Sequence, residues 1–432
     1  MTTGASELDI DAEAGTALAH ERLYRLWEEN HWSAKNLDFS QDAHDWQEQH
    51  TEQQRRAILW NAAMFLAGEQ SVTVTLAPFL RAAPCYEDRV YLATQVADEA
   101  RHHVFFERSL REVCQIGQDY HSTLQATRPQ LTWGYRQVFA ELERASERLR
   151  LLPDSLPHLA QGIALYHLVI EGMLAHTGQH YLRDYANRTG LFPGFKAGIT
   201  MVARDEARHI AFGIQLLHRL VSGNSACKAA VVDMLNRVLP WAAGVFTPPA
   251  CDWTYVSCLG SSPQEMFAFG LHSIESKLCR AGIEPVEVKA LVKIGYADPP
   301  LEQAGRLIQL INGRVPGTEQ APQVNEATMD ALFHQHRLYC TLDAGAPPHR
   351  CLRDPVGVRR GPTTLPGTTS RRTTAGRHGA PRLPTIDAAL SCRRLDAIAT
   401  GQLKQQRAVL TRRLRPSGDL RLLLQLPRIL PT

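Results

Sequence analysis

The chain has 432 residues, of which 44% are hydrophobic and 21% charged, a composition typical of a globular protein rather than a fibre or a collagen. No apolar run reaches the ~18 residues that a membrane span requires, because Gln161, His167 and Glu171 interrupt the most apolar stretch, residues 159–175. The nine cysteines include no CxxC pair, which indicates reduced packing residues rather than a disulfide framework. Residues 6–13 are acidic and lack the order of a signal peptide, so we expect a cytoplasmic protein.

The hydrophobic pattern is helical through most of the chain, and few stretches alternate with the period of a strand. Long helices are predicted first and shorter ones after them, at residues 52–82, 86–115, 132–150, 156–187, 194–222, 226–245, 262–282 and 301–312. Long helices with short connections favour a bundle whose core can hold a site. The sequence therefore predicts an all-α fold.

The overall net charge of +3 conceals two regions of opposite sign. From Gly345 to Thr432, 17 Lys and Arg stand against 4 Asp and Glu, a net charge of +13, which leaves 30 against 40, or −10, before residue 345. This basic tail could attract nucleic acid or an anionic surface. It contains no Phe, Trp or Tyr, however, so it can neither build an aromatic core nor stack on bases. We expect a disordered or weakly helical tail and no nucleic-acid partner.

These features divide the chain into three parts. Residues 1–30 are predicted to be an N-terminal extension, residues 31–344 a helical domain, and residues 345–432 an Arg-rich tail. The domain is the part whose composition can build a core, and the candidate site residues lie within it.

One internal repeat stands out in the helical domain. Residues 98–102 read Asp-Glu-Ala-Arg-His, and the same five residues recur 107 positions later, at 205–209. In each copy Glu and His are three residues apart, which places both side chains on one face of a helix. A single Glu-x-x-His is a weak signal, but two identical copies on two long helices predict a pair of metal-binding motifs.

A dimetal site in a four-helix bundle also needs one Glu from each of the other two helices. Glu69 and Glu171 meet this need, since each lies in an apolar stretch of the helix before one repeat. Buried salt bridges to Arg101 and Arg208 are the alternative, but they do not explain the order of the acids. Four carboxylates and two imidazoles suit iron or manganese. The predicted metal ligands are Glu69, Glu99, His102, Glu171, Glu206 and His209.

This ligand set resembles that of the ferritin-like superfamily, and of its ribonucleotide reductase small-subunit branch in particular. Residues 67–73, 166–175 and 205–209 are similar to those of the ligand-binding oxidases of that branch, and the similarity runs from about residue 31 to residue 220. The resemblance implies a ferritin-like helical bundle with a manganese/iron or di-iron centre. It also implies a long-chain fatty acid beside the metals, activation of dioxygen, an electron donor that stays unidentified, and a homodimer.

Further positions bear on the choice within this branch. In the oxidases, a Val and a Tyr at the positions of Val72 and Tyr166 become joined by an ether cross-link, whereas each alone would be an ordinary core residue. In the reductases a radical tyrosine stands where this chain has Phe106. The resemblance also implies that Asp205 hydrogen-bonds a ligand imidazole, most directly His102, with a helix-surface acid as the alternative. Asp98 could likewise hydrogen-bond a ligand imidazole or be a helix-surface acid.

The sequence thus predicts a dioxygen-activating dimetal oxidase, an oxidoreductase acting with dioxygen and a small apolar ligand. A ribonucleoside-diphosphate reductase small subunit is one alternative, and a ferritin-like protein that binds metal or ligand without turnover is another. Acyl desaturation and amine oxygenation use similar ligand orders and stay open as related activities.

Overall fold

The computed structural model describes residues 20–311 and, beyond them, the backbone of residues 386–389 and 415–418. All regular secondary structure within residues 20–311 is helical. The α-helices are α1 (His20–Glu29), α2 (Ser40–Glu48), α3 (Glu52–Thr75), α4 (Ala77–Ala82), α5 (Tyr86–Arg108), α6 (Tyr120–Thr127), α7 (Trp133–Leu151), α8 (Leu156–Ile163), α9 (His176–Thr189), α10 (Pro193–Val221), α11 (Ser225–Val245), α12 (Thr254–Ser257), α13 (Pro263–Arg280), α14 (Lys289–Lys293) and α15 (Pro300–Ile311). Short 3₁₀ turns lie at Ala34–Asn36, Arg128–Gln130, Pro249–Cys251 and Pro285–Glu287, and π-helical segments at Ser109–Val113 and Ala164–Ala175.

The predicted all-α, ferritin-like fold is confirmed. Within the tail, the structure describes two short strands, β1 (Ile386–Ala389) and β2 (Arg415–Gly418), which pair antiparallel with Ile386 opposite Gly418. The predicted disorder of the rest of residues 345–432 lies outside the described residues. The domain boundaries at 31 and 344 stay predictions.

Capping side chains explain where the long helices begin. At the start of α3, the Thr51 hydroxyl accepts a hydrogen bond from the Gln54 backbone while the Gln54 side chain accepts one from the Thr51 backbone. Ser262 and Glu265 form the same reciprocal pair at the start of α13. Each pair satisfies two backbone groups that the first turn leaves unpaired.

Three of the predicted helices differ from the prediction inside their span. In the helix expected at 86–115, the segment Ser109–Val113 is π-helical. The single helix expected at 52–82 is wrong at its end, because Pro78, which lacks a backbone N–H, restarts the chain as α4 after a break at Leu76. The helix expected at 156–187 is continuous in direction, but its centre, Ala164–Ala175, is a π-helix of 12 residues. Hydrophobic periodicity does not reveal a π-helix, which is frequent at functional sites.

Four helical segments surround the part of the core in which the predicted metal ligands lie. Helix α3 packs on α5, the π-segment Ala164–Ala175 packs on α10, and α10 also contacts α5. The close approach of α10 to the π-segment requires Gly213, where an added Cβ would lie 2.1 Å from the His167 Cβ. Helices α7, α11 and α13 then cover this layer from outside.

Helix α1 lies against α5 and α10, with Leu23 fully buried. Most of its length belongs to the segment that the sequence assigns to an N-terminal extension. Its contacts bring it beside the helices that carry the repeated motif.

Among the described residues, no helix combines the length and the apolar character that a membrane crossing would need.

The start of α7 offers a test of this packing. A Cβ at Gly134 would lie 2.3 Å from the Trp241 carbonyl oxygen and 2.4 Å from the Gly244 carbonyl carbon, and neither backbone can yield as a side chain would. We expect Gly134→Ala to lower the free energy of unfolding by about 1–3 kcal/mol. The matched variant Gly305→Ala, whose Cβ meets only the end of Gln264, should be neutral or slightly stabilising. Equal urea midpoints for the two variants would contradict the packing.

Candidate metal centre

The two repeats face each other across the bundle. Glu99 and His102 lie on α5, and Glu206 and His209 lie on α10, three residues apart in each helix as the motif requires. Glu69 comes from α3 and Glu171 from the π-segment. The exposed fraction of the whole residue is 6% for Glu69 and 3% or less for the other five, so the structure brings all six predicted ligands together in the core.

The six residues form two overlapping groups of potential metal ligands. One group comprises Glu69, Glu99, His102 and Glu206, and the other comprises Glu99, Glu171, Glu206 and His209. Within each group the ligand atoms lie within 4.8 Å of one another. Because Glu99 and Glu206 belong to both groups, their carboxylates are placed to bridge two ions.

Each imidazole presents one nitrogen to the glutamates and the other to an aspartate. His102 Nδ1 lies 3.4 Å from Glu99 Oε2, whereas its Nε2 lies 3.2 Å from Asp205 Oδ2. His209 Nδ1 lies 3.1 Å from Glu171 Oε1, and its Nε2 lies 3.0 Å from Asp98 Oδ2. An aspartate on one imidazole nitrogen fixes the ring and its tautomer, which leaves the other nitrogen free to bind a metal.

Both aspartates are held from outside by indole and guanidinium groups. Trp32 Nε1 donates to Asp205 Oδ2 at 2.7 Å, and Trp27 Nε1 donates to Asp98 Oδ1 at 2.9 Å. Arg208, only 1% exposed, lies between the aspartates, at 2.7 Å from Asp205 Oδ1 and 3.2 Å from Asp98 Oδ2. The arginines of the repeats thus pair with the aspartates of the repeats.

Arg101 completes this network. Its guanidinium pairs with Asp98 and lies 3.0 Å from Asp205 Oδ2, and it also lies over the ring of Trp32 at 5.1 Å. The cluster contains six buried carboxylates and two guanidinium groups. Its net charge is therefore −4 when both imidazoles are neutral. Two divalent cations would neutralise this charge.

In the absence of metal ions, protons are the remaining positive charges that can compensate the glutamates, and the pKa values show which glutamates bind them most readily. Burial and the neighbouring Glu99 raise the pKa of Glu69 well above its ordinary value. Burial and Glu206 do the same to the pKa of Glu171. Burial would also raise the pKa of Glu99, but hydrogen bonds with His102 and His209 outweigh it and hold that pKa well below the ordinary value. Without a cation, Glu69 and Glu171 therefore take up a proton more readily than Glu99 does.

The residues present fit a pair of metal ions. His102 Nδ1, Glu171 Oε2 and Glu206 Oε2 are buried and have no hydrogen-bond partner among the described residues. Leaving such atoms unpaired costs about 1–3 kcal/mol each, and more for charged groups, which coordination of a cation would offset. Carboxylate oxygens with two imidazole nitrogens are a donor set suited to iron and manganese.

A largely apolar cavity opens beside the shared carboxylates. Its lining includes Glu69, Glu99, Glu171 and Glu206, and both Val72 and Tyr166. The Tyr166 hydroxyl donates a 2.5 Å hydrogen bond to Glu99 Oε1. The remaining lining residues are mostly apolar or aromatic and come from α3, α7, the π-segment, α9 and α11: Met64, Phe65, Phe139, Ile170, Leu174, Val245 and Phe246 among them.

Several functional contacts were missed at the sequence level. The sequence left Asp98 open between a partner of a ligand imidazole and a helix-surface acid, and its identity with Asp205 in the repeat was the available signal that it serves His209. Trp27 and Trp32 carried no signal, because nothing in a sequence shows which acid an indole reaches. His103, the residue after His102, is not among the potential ligands and packs its ring against Tyr120, with centroids 4.8 Å apart.

Comparison with known proteins is consistent with this geometry. A family model described as "Ribonucleotide reductase, small chain" matches residues 19–239, which include α1 and most of α11 as well as the site. This match begins before and ends after the span of resemblance predicted from the sequence.

Solved structures similar to this chain include variants of an R2-like ligand-binding oxidase with a reconstituted Mn/Fe cofactor. One, reconstituted aerobically, is 26% identical with a TM-score of 0.52, over 61% of this chain and 93% of the other. A second aerobic variant is 25% identical with a TM-score of 0.53, over 61% of this chain and 94% of the other. The R2-like ligand-binding oxidase from Sulfolobus acidocaldarius, 24% identical with a TM-score of 0.52 over 62% of this chain and 93% of its own, shares the fold.

Fold and site together define a helical bundle with a buried carboxylate and imidazole cluster that can bind two metal ions. The chain belongs to the ribonucleotide reductase small-chain family. Its structural relatives carry Mn/Fe cofactors.

The ligand assignment predicts the effect of removing half a motif. Glu99→Ala with His102→Ala should strip at least one metal ion per chain, because both groups of ligands lose Glu99 and one also loses its imidazole. The control removes an exposed acid and an exposed histidine, Glu147→Ala with His121→Ala, and should retain the metal. Element analysis of the purified proteins decides the matter, and unchanged iron and manganese in the first variant would refute the assignment.

The aspartate contacts predict separate control of the two positions. Asp98→Asn should weaken metal binding at the position of Glu171 and His209 by about 10- to 100-fold, since it disturbs the partner of the ligand imidazole. Asp205→Asn should do the same at the position of Glu69 and His102. Competition with a chelator measures both affinities, with the exposed Asp184→Asn as control. If either buried variant weakened both positions equally, the pairwise assignment would be wrong.

Proposed function

We propose that this protein is a dioxygen-activating dimetal oxidase that binds a long-chain fatty acid or a similar apolar ligand beside its metals. The observation that carries the proposal is the apolar cavity against Glu99 and Glu206, the two carboxylates shared by both groups of ligands. A ligand in this cavity would lie next to the metals and away from water. Manganese and iron, or two irons, are the proposed ions.

The protein's part in this chemistry is to hold the metal ions and to exclude water. When bound, a pair of redox-active metal ions supplies the electrons for reduction of dioxygen. The glutamates would hold the ions, and the aspartates would orient the imidazoles. The apolar lining keeps bulk water from the reacting centre, which strengthens every electrostatic interaction there.

Tyr166 is placed to take part directly. It is fully buried, it lines the cavity, and its hydroxyl donates to the shared carboxylate of Glu99. Burial and the charge of Glu171 raise the pKa of Tyr166 well above its ordinary value, so the phenol retains its proton until an oxidant removes it. Val72 lines the same cavity and offers a tertiary C–H bond.

A reductase small subunit is less well supported. The position where a reductase carries its radical tyrosine is Phe106, which is fully buried and stacked on Phe65 with ring centroids 4.8 Å apart. A phenylalanine has no phenolic hydroxyl to oxidise. This position favours an oxidase that acts on a ligand of its own.

The proposal predicts an ether bond between Val72 Cβ and Tyr166 Oη. The Val72 Cβ–H and Tyr166 O–H bonds break, one C–O bond forms, and two electrons with two protons pass to dioxygen. After metal loading and exposure to air, mass spectrometry should show the two peptides joined as one species, lighter by two hydrogens than their sum.

Two controls accompany this experiment. Metal-free protein treated with air should give separate peptides, and so should metal-loaded Tyr166→Phe. Recovery of both peptides unlinked from fully loaded, air-exposed protein would refute the cross-link and would count against the oxidase relative to other dimetal proteins.

A further inference from the structure

Tyr135 lies at the start of α7 in a position that the helix packing fixes. The Thr132 side chain caps the helix by accepting a hydrogen bond from the Tyr135 backbone N–H at 3.2 Å. Gly134 lies against the backbone of α11 so closely that no side chain fits there. The Tyr135 ring stacks on Phe139, with centroids 4.2 Å apart. The ring therefore has little freedom to turn its hydroxyl elsewhere.

The hydroxyl of Tyr135 is buried without a partner. The residue is 5% exposed, and its oxygen makes no hydrogen bond within the part of the chain that the structure describes. Tyr135 lines the same cavity as Gly68 and Glu69, and a Cβ added at Gly68 would lie 3.5 Å from its hydroxyl oxygen. The unpaired donor thus faces the cavity next to a proposed metal ligand.

Two other hydrogen-bond donors of the lining are already in use. The Tyr166 hydroxyl donates to Glu99, and the Asn61 amide nitrogen donates to the Ala57 carbonyl at 2.9 Å. Burial and the charge of Glu69 raise the pKa of Tyr135 well above its ordinary value, so its hydroxyl stays a donor. An acceptor brought in by a ligand would satisfy it.

We infer that Tyr135 is a ligand-recognition residue whose hydroxyl donates a hydrogen bond to an oxygen atom of the bound apolar ligand, near the end of the ligand that faces the metals. This inference rests on the proposed function, which supplies the ligand. A buried donor that stays unpaired costs free energy, and a ligand oxygen recovers it. The oxygen belongs either to the carboxylate of the acid or to a substituent close to it.

The experiment compares three probes with metal-loaded wild-type protein and two variants. The probes are hexadecanoic acid, 2-hydroxyhexadecanoic acid and 3-hydroxyhexadecanoic acid, and the measurement is equilibrium binding. Tyr135→Phe removes the hydroxyl. Tyr91→Phe is the matched control, because Tyr91 is also buried with an unpartnered hydroxyl among the described residues but is absent from the cavity lining.

We expect Tyr135→Phe to weaken binding about tenfold, equivalent to about 1.4 kcal/mol, and Tyr91→Phe to leave it unchanged. A loss for all three acids would identify the carboxylate as the acceptor, and a loss for one hydroxy acid alone would identify its substituent. Thermal unfolding of the ligand-free protein is the second measurement. Tyr135→Phe should not lower that unfolding temperature, since it removes no hydrogen bond.

Two outcomes would overturn the inference in distinguishable ways. If the wild-type protein binds the acids and Tyr135→Phe binds them equally well, or if the two phenylalanine variants lose affinity alike, Tyr135 does not recognise the ligand and the proposed function stands. If none of the acids binds the metal-loaded wild-type protein, ligand binding itself fails, and the inference fails with it.

Discussion

Burying charge without compensation is the constraint on which this structure depends. Removing a carboxylate from water costs several kcal/mol unless a cation or hydrogen bonds compensate it, and this chain buries six around two histidines. Arg101 and Arg208 compensate two of these charges, through Asp98 and Asp205. A pair of cations would compensate the four glutamates, and in their absence burial and neighbouring carboxylates raise the pKa of Glu69, Glu171 and Glu206. A stable bundle and a metal centre are, in this sense, consequences of the same arrangement.

The repeated motif explains why both halves of the site are built alike. In each copy the Glu and His belong to the groups of potential metal ligands, the Asp bonds the imidazole of the other copy, and the Arg reaches both aspartates. Asp205 of α10 serves His102 of α5, and Asp98 of α5 serves His209 of α10. This exchange ties the two helices together through the ligands themselves. Helix α1 and the residues after it extend the network, since Trp27 and Trp32 donate to the two aspartates.

The sequence predicted those features that periodicity and chemical necessity dictate. Helix positions followed from hydrophobic spacing, and the six ligands followed from the repeat and from the need to compensate acids in apolar stretches such as that around Glu171. The π-helical course of that stretch was not predictable, because every residue from 164 to 174 is buried and the hydrophobic pattern therefore shows no period that would distinguish the helix types. The roles of Trp27 and Tyr135 depend on tertiary contacts between segments distant in sequence. A local break at Pro78 was predictable from its missing N–H, but the apolar pattern around it concealed the break.

The central claim is that two metal ions share Glu99 and Glu206. Anomalous scattering from crystals of the metal-loaded protein, recorded at the iron and manganese absorption edges, tests it most directly. The account predicts two peaks between α5 and α10, one coordinated by Glu69 and His102 and the other by Glu171 and His209, with both shared carboxylates between them. A single peak, or peaks on other residues such as the partly buried group of His20, Cys85 and Asp88, would contradict it.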